Sequence, residues 1–470
     1  MTITTNATGA TDLLAPPRGA TPPGPPFSAT PGLLRKLVRD RLGLMTSAAA
    51  GYGDAVLMKI GPVALYFFNH PDHAKHVLAD NSANYHKGFG LAQARRALGD
   101  GLLTSEGALW RKQRKVIQPA FQHKRMVRQA GIVVAEAAGL VDRLRARGGA
   151  GGPGTAGEPV DVLREMTELT LGVLGRTLLD ADLGAFDSIG DSFEAVQDQA
   201  MFEAMSLSKV PVWLPLPKQL RFRRARRELQ RVVDRLVADR IARGDTGGDD
   251  VLSRLIVSTG REPDPRVGRQ RMRDELVTLL LAGHETTAST LGWTFYLIDR
   301  HPEVRERLHA EAVDVLGDRP PAYEDLHRLT YTSMVIQEVM RLYPPVWMLS
   351  RLAQGDDEVG GYHVPAGVDV LICPYTLHRH PAFWDDPLRF DPDRFDPGRT
   401  ANRPRYAYIP FGAGPRFCVG NHLGLMEATF VTAMVARDLR LTKVPGYAVV
   451  PEPMLSLRVR GGLPMTVSPA

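Results

Sequence analysis

The longest continuous helical pattern in the chain runs from about Met272 to Arg300. At 1.5 Å of rise per residue, it predicts a helix about 43 Å long. Shorter patterns with apolar residues every three to four positions precede and follow it. These patterns lie near 71–80, 110–144, 160–206, 221–244, 302–316, 330–342 and 420–439. The sequence therefore predicts a mainly α protein.

A minor β portion accompanies the helices. AVLMKIGPVALYFFN at 55–69 alternates in hydrophobicity and breaks at Gly-Pro, which predicts a β-hairpin, and VDVLIC at 368–373 predicts a short strand. No internal repeat and no convincing linker divides the chain. We therefore expect a flexible Pro/Gly-rich leader over residues 1–30 and a single large domain over 31–470.

Composition excludes several classes of protein. With 44% hydrophobic and 23% charged residues the chain is globular, and no apolar run reaches the roughly 18 residues of a membrane span. The N-terminus lacks the features of a secretory signal, and two cysteines cannot form a disulfide framework, so we expect a cytoplasmic location. The net charge of +6 comes without a zinc-finger, recognition-helix or RNP-type pattern, so no nucleic-acid partner is expected.

The stretch FGAGPRFCVG at 411–420 places one of the two cysteines, Cys418, among three glycines. Glycines allow close backbone approach, and a helix starting near Cys418 would direct free N–H groups at the sulfur and favour the thiolate. This arrangement suits a metal ligand or a nucleophile. Three alternatives stay open here: an inert buried cysteine, a zinc site with His422 that lacks two further ligands, and a hydrolase using one of 13 histidines as base.

The stretch LLLAGHETTAST at 279–290 interrupts the longest helical pattern with small and polar residues. Gly283 costs a helix about 1 kcal/mol relative to alanine, and threonine hydroxyls compete for backbone carbonyls. A helix weakened in this way marks a groove or a kink. An acid beside an alcohol, here Glu285 and Thr286, can relay protons to a molecule bound there. The alternative is an exposed glutamate among ordinary small residues.

Taken in order, these stretches resemble the cytochrome P-450 family of haem-thiolate monooxygenases. FGAGPRFCVG matches its F-x-x-G-x-R-x-C-x-G loop, AGHETT its oxygen-binding helix motif, and EVMR at 338–341 its K-helix motif, which alone is weak. FDPDRF at 390–395 resembles the P-E-R-F-type segment, with Asp393 for the usual glutamate. Trp110 and Arg114 match the W-x-x-x-R helix. The resemblance covers nearly everything after the leader.

The resemblance implies the cytochrome P-450 fold, with haem b between the long central helix and the helix that follows the cysteine loop. Cys418 would be the thiolate ligand of the iron, and Phe411 would shield the sulfur. Glu338, Arg341 and Arg394 would form a structural ion-pair cluster. The implied haem-binding residues are Trp110, Arg114, Ala282, Gly283, Arg351, Phe411, Arg416, Cys418 and Gly420.

The resemblance also implies the chemistry. Glu285 and Thr286 would deliver protons during dioxygen activation, and one oxygen atom would enter a C–H or C=C bond. The two haem propionates would pair with Arg114 and Arg416, with Arg351 as a weaker third candidate. Peroxide-using relatives lack the acid–alcohol pair, which favours the dioxygen-dependent reaction. The alternative function is that of a non-oxygenating haem-thiolate protein: a peroxygenase, an isomerase or a haem sensor.

We expect electrons to come from an external donor, because the roughly 50 residues after the cysteine are too few for a fused flavin or iron–sulfur domain. We expect a ferredoxin or flavodoxin with an NAD(P)H-dependent reductase, and a monomeric enzyme. A basic group of residues could steer an acidic donor, although a solvated helix face is an equally good interpretation. This group consists of Arg111, Lys112, Lys115, Lys124 and Arg125.

The substrate is predicted to be an apolar small molecule. YPPVWMLSR at 343–351 and PYTLHRHP at 374–381 resemble bacterial members that act on terpenoids, carotenoids or fatty acids. The segments that set substrate choice in the family supply mainly apolar side chains. Ordinary core packing is the alternative role for each of them. These side chains are Phe89, Leu91, Met201, Phe202, Met205, Trp213, Val346, Trp347 and Met348.

VPVWLPLPKQL at 210–220 predicts an apolar loop broken by three prolines, and five arginines follow at 221–227. Apolar insertion and attraction to anionic lipid are the two ingredients of interfacial membrane binding. The sequence thus raises the hypothesis of transient membrane contact. The alternative is a loop packed over the substrate cavity beside a solvated helix face.

Overall fold

The structure is a computed structural model that describes residues 19–60, 63–149, 158–184, 189–206, 209–211, 213–244, 247–248 and 250–470. Sixteen α-helices lie in these ranges. They are α1 (Thr30–Arg39), α2 (Arg41–Tyr52), α3 (Pro71–Lys75), α4 (Leu91–Leu98), α5 (Gly107–Ile117), α6 (His123–Gly149), α7 (Val162–Leu174), α8 (Ile189–Met205), α9 (Pro217–Ala242), α10 (Val251–Thr259), α11 (Pro265–Arg300), α12 (Pro302–Leu316), α13 (Thr330–Leu342), α14 (Pro374–Leu377), α15 (Pro397–Thr400) and α16 (Asn421–Asp438). The predicted mainly α fold is confirmed.

The central helix α11 has 36 residues and begins seven residues before the predicted position. Its start is set by local capping: Pro265 occupies the first turn, and the Asp264 carboxylate accepts the Arg266 N–H over 2.8 Å. The first turns are polar, so hydrophobic periodicity did not reveal them. The helix packs mainly against α7, α16 and α13, which places its middle in the core.

The β portion of the described ranges is distributed over four small sheets. Its strands are β1 (Ala55–Ile60), β2 (Val63–Phe68), β3 (Tyr85–Lys87), β4 (Val160–Asp161), β5 (Leu349–Ala353), β6 (Asp357–Val359), β7 (Tyr362–Val364), β8 (Asp369–Ile372), β9 (Leu439–Lys443), β10 (Pro451–Pro453), β11 (Leu457–Val459) and β12 (Pro464–Pro469). The largest sheet has the order β1-β2-β8-β5-β3, in which the predicted hairpin β1/β2 is antiparallel and β2 pairs with β8 in parallel.

The predicted ion-pair cluster forms, and it is buried. Arg341 donates to the Glu338 carboxylate over 2.6 and 2.8 Å, and the Arg394 guanidinium lies 3.4 Å from the same carboxylate. Arg341 also donates to three backbone carbonyls, including that of His378 at 3.0 Å. Arg341 and Glu338 are fully buried. The cluster therefore ties α13 to the coil between α14 and α15.

Part of the predicted leader is attached to the domain. Residues 1–18 lie outside the described ranges. Ala20 forms a β-bridge with Tyr362, and the Leu57 N–H donates to the Pro23 carbonyl over 2.8 Å. Packed structure thus begins before the predicted boundary at residue 31. Within the described ranges, every helix is too short or too polar to cross a membrane.

Candidate active site

A cavity of about 400 Å³ lies between the middle of α11 and the loop that precedes α16. Seven of the nine apolar residues proposed for substrate contact line it; Phe202 and Trp213 do not. Of the eleven predicted site residues, Trp110 and Arg114 do not line it. The other nine do, and they are Ala282, Gly283, Glu285, Thr286, Arg351, Phe411, Arg416, Cys418 and Gly420.

The cysteine loop is shaped by close backbone packing. Gly414 has a φ of 65°, and a Cβ at this position would lie 1.9 Å from the Leu78 carbonyl oxygen. Only glycine fits such an approach in a left-handed conformation. The Cys418 N–H donates to the Phe411 carbonyl over 3.1 Å, which closes the loop. The sulfur is thereby presented to the cavity just before α16 begins at Asn421.

The thiol of Cys418 is subject to opposing effects. Burial raises its pKa above the ordinary value, while the N–H groups of Gly420 and Asn421 and the charge of Arg114 act to lower it. The N–H groups at the start of α16 thus favour the thiolate, as predicted, but the cost of burying the charge outweighs them. A coordinated metal cation deprotonates a thiol outright, so ligation of a metal would overcome the cost of burial.

Three cationic side chains converge at one edge of the cavity. Lys87 on β3 and Arg351 on β5 are directly paired in the sheet register, and Arg416 comes from the cysteine loop. Burial, together with the neighbouring Arg416 charge, lowers the pKa of Lys87 to about 7 and that of Arg351 to about 10. In the described chain, only Glu106 forms an ion pair with this cluster, through Arg416. This edge therefore has more positive than negative charge.

The cation cluster is suited to an anionic ligand. The Arg351 guanidinium donates to the neighbouring Ser350 carbonyl over 2.8 Å and has no carboxylate partner among the described residues. A buried charge without a counter-charge is costly. A ligand bearing carboxylates at this edge would supply the missing negative charge. The excess of cations thus indicates where the charged end of such a ligand lies.

Trp110 and Arg114 support this edge from α5. The Arg416 guanidinium lies 3.9 Å from the centroid of the Trp110 ring, a cation–π contact. Arg114 donates to the Phe417 carbonyl over 2.8 Å. Both side chains therefore contact the cysteine loop, although neither lines the cavity.

The small and polar residues of α11 face the cavity at its middle. The Thr286 hydroxyl donates to the Ala282 carbonyl over 2.8 Å, and a Cβ at Gly283 would lie 2.8 Å from the Leu174 side chain. The predicted competition of threonine for a backbone carbonyl is confirmed. The helix thus presents a hydroxyl and a carboxyl at adjacent positions along one wall.

The carboxyl of Glu285 is held by hydrogen bonds at the wall of the cavity. It accepts a hydrogen bond from the Ser456 hydroxyl over 2.6 Å and another from the Gln197 amide. Burial raises its pKa to about 7, although both hydrogen bonds and the charge of Arg458 act to lower it. A carboxyl with this pKa can both accept and donate a proton near neutral pH.

The sequence analysis missed three residues that line or border the cavity. Ser456 is positioned because the Ser289 hydroxyl and the Trp293 indole both donate to the Leu457 carbonyl, at 2.6 and 2.9 Å. Lys87 is brought in by the β3–β5 register, and Glu427 on α16 is buried with one carboxyl oxygen unpaired among the described residues. No local motif marks Ser456 or Lys87, since each depends on long-range pairing.

Comparison with known proteins identifies the family. Residues 22–463 match the family described as "Cytochrome P450". The chain belongs to the cytochrome P450 family. It is 37% identical to "Cyclooctatin synthase" of Streptomyces melanosporofaciens, over 90% of each chain. It is 36% identical to "Cyclooctat-9-en-7-ol 5-monooxygenase" of the same organism, over 97% of this chain and 98% of the relative.

A third relative is "Pentalenene oxygenase" of Streptomyces avermitilis, 34% identical over 88% of this chain and 90% of the relative. The protein is accordingly a P450 monooxygenase, an oxidoreductase with a haem-thiolate cofactor. Enzymes of this class take electrons from redox partners, use dioxygen and act on small molecules. The family resemblance inferred from the sequence motifs and the expected fold are confirmed.

Proposed function

We propose that this P450 oxidises an apolar terpenoid, using haem b ligated by Cys418. The observation that carries the proposal is the single cavity in which Cys418, the acid–alcohol pair of α11 and an apolar wall meet. When bound, haem b would supply dioxygen activation and oxygen transfer to carbon. The residues of the chain bind and orient the reactants, exclude water and handle protons.

The residues present fit haem at the cysteine loop. Cys418 would ligate the iron, with Phe411 and Gly420 beside it in the cavity wall. The unbalanced cations at the cavity edge would hold the two propionates, for which the sequence analysis named Arg416, Arg351 and Arg114. Lys87 joins this set because it shares the buried edge with Arg351. Trp110 would act by fixing Arg416 through their stacking contact.

The proposed proton carriers are Glu285 and Thr286. Glu285 would take up a proton at its carboxyl, which has a pKa of about 7, and would pass it toward the Thr286 hydroxyl. Thr286 donates to the Ala282 carbonyl, so it would have to turn its hydrogen into the cavity to act as a donor. The small side chains at Ala282 and Gly283 leave room for dioxygen beside it.

The terpenoid substrate class is supported by the relatives and by the cavity. The names of three relatives refer to cyclooctatin, cyclooctat-9-en-7-ol and pentalenene. The lining of the cavity includes flexible methionines and rigid aromatics, which can enclose a polycyclic hydrocarbon. These residues are Met45, Met58, Phe89, Met201, Met205, Trp347, Met348 and Met454.

The proposed electron donor is a ferredoxin or a flavodoxin served by an NAD(P)H-dependent reductase. Four of the five basic residues suggested for steering it, Arg111, Lys112, Lys115 and Lys124, are exposed. Lys112 pairs with Glu262 at 2.5 Å, which reduces the positive charge that Lys112 offers to an acidic electron donor. We further propose a monomer in the cytoplasm that uses no nucleic acid, consistent with two free cysteines.

A two-stage experiment tests this function. A library of cyclic terpenes, carotenoids and fatty acids is first screened with the haem-loaded protein for the shift in iron spin state on binding. Compounds that bind are then incubated with a surrogate ferredoxin, its reductase, NADPH and dioxygen. We expect terpenes to bind best and to yield singly oxygenated products. Preferential binding of fatty acids, or turnover that needs peroxide rather than dioxygen, would contradict the proposal.

A further inference from the structure

A second cleft, of about 860 Å³, lies on the surface between α4, the segment that follows α8, and α9. Five of the described residues that line it are basic and none is acidic. We call it the basic cleft. Its lining residues are Arg96, Lys209, Pro211, Trp213, Phe222, Arg223, Arg226, Arg227 and Gln230.

The positive charge of the basic cleft is only partly compensated. Arg96 pairs with Glu203 at 3.0 Å, and Arg226 lies in the field of Asp274. Lys209 and Arg227 are exposed and form no ion pair with any described residue. The cleft therefore attracts anions, and its cations come from three separate segments of the chain. Such convergence forms a concave site rather than a uniformly charged helix face.

The wall of the cleft is fixed by the backbone of the neighbouring loop. Arg223 donates to the carbonyls of Trp213 and Leu214, at 2.6 and 3.1 Å. These bonds hold the loop against the first turns of α9. The indole of Trp213 remains 73% exposed, so the structure presents a large apolar ring at the rim of a cationic cleft.

Two leucines extend this apolar rim. Leu216 and Leu220 are 39% and 40% exposed. Leu216 is the residue just before α9, and Leu220, Arg223 and Arg227 follow at spacings of three to four residues, which places these last three on one face of α9. Exposed apolar side chains gain free energy when they leave water for a lipid interface, and cations are attracted to a lipid surface that carries negative charge. Such a surface therefore suits both components of this rim.

We propose that the basic cleft binds the phosphate of an anionic membrane lipid while Trp213, Leu216 and Leu220 insert into the interface. Tryptophan favours the headgroup level of a bilayer, and each basic residue near an anionic surface contributes about 1 kcal/mol. A site for a free phosphate ester would explain the cations. It would not explain the exposed indole and leucines beside them, so the lipid is the better occupant.

Lipid binding at this position bears on substrate access. The basic cleft takes Arg96 from α4, and α4 also lines the central cavity through Leu91. The segment carrying Lys209 follows α8, whose Met201 and Met205 line the same cavity. Docking would thus bring the wall of the cavity against the medium in which an apolar compound dissolves. The proposal concerns attachment and goes beyond the proposed reaction, so it can be tested without turnover.

The first test measures binding of the haem-loaded enzyme to vesicles. Vesicles of phosphatidylglycerol with phosphatidylcholine are compared with phosphatidylcholine alone, at low and high salt. We expect salt-sensitive binding to the anionic vesicles only. The double variant Arg226→Gln/Arg227→Gln should bind about thirtyfold more weakly, the factor given by two lost basic residues. The matched variant Arg224→Gln/Arg231→Gln removes the same charge from α9 outside the cleft and should bind at most a few-fold more weakly.

The second test separates a lipid from a free phosphate. Trp213→Ala should weaken vesicle binding, and brominated phosphatidylglycerol should quench wild-type fluorescence more than that of Trp213→Phe. Inorganic phosphate and glycerol 1-phosphate should displace the enzyme only weakly. No binding by the wild type at low salt, or equal losses in the two arginine double variants, would overturn the proposal. Tight binding of either soluble phosphate with no quenching by the brominated lipid would overturn it as well.

Discussion

The two sides of the central cavity are built in different ways. On the cysteine side, backbone contacts and buried ion pairs fix the position: Gly414 packs on a carbonyl, and Arg341 is enclosed with Glu338. Away from the cysteine loop, single side chains such as Met201 and Ser456 line the cavity. We propose from this comparison that cofactor retention depends on the rigid side, whereas substrate choice and proton delivery depend on the individual side chains that line the rest of the cavity.

The largest expected effect is on the rigid side. Arg341→Ala would leave the Glu338 carboxylate buried without its main partner, and breaking such a pair costs about 3–5 kcal/mol. Chemical denaturation should show that loss in the free energy of unfolding, together with poor haem retention. Arg164→Ala removes an exposed pair with Glu168 on α7 and should cost less than about 1 kcal/mol. Equal losses in the two variants would show that the buried Arg341–Glu338 pair stabilises the rigid side no more than an exposed pair stabilises its surroundings.

A smaller effect, confined to chemistry, is expected for Thr286→Ala. The variant should fold and consume NADPH, but product formed per NADPH should fall by about a hundredfold, the scale of a lost proton-transfer group, with peroxide released instead. Thr294→Ala is the matched control, since its hydroxyl also donates to a carbonyl four residues back but it does not line the cavity. Normal coupling in Thr286→Ala would point to a different proton path.

The smallest effect is a change in pH dependence. The Ser456 hydrogen bond lowers the pKa of Glu285, which is about 7, so Ser456→Ala should raise it further. The kcat profile should then have its Glu285-dependent inflection at higher pH than in the wild type. In Glu285→Gln, turnover should be slower and that inflection should be lost. An unchanged profile in Ser456→Ala would show that Glu285 does not control the rate.

The sequence predicted the residues on the cysteine side better than the side chains that line the rest of the cavity. Gly414, Cys418 and Arg341 belong to short motifs, because close backbone approach and ligation allow few residue types at fixed spacing. Lys87 and Ser456 reach the cavity through strand register and a distant carbonyl contact, which no local pattern encodes.

The reduced carbon monoxide spectrum tests the central claim, that Cys418 supplies the thiolate ligand. The wild type should show the strongly red-shifted Soret band of thiolate ligation. Cys418→His should lose this band while still able to hold haem. Cys373→Ala is the control and should keep the band. Cys373 is buried and does not line the cavity; its thiol donates to the Trp347 carbonyl, and burial raises its pKa to about 11. Retention of the thiolate band in Cys418→Ala would contradict the account.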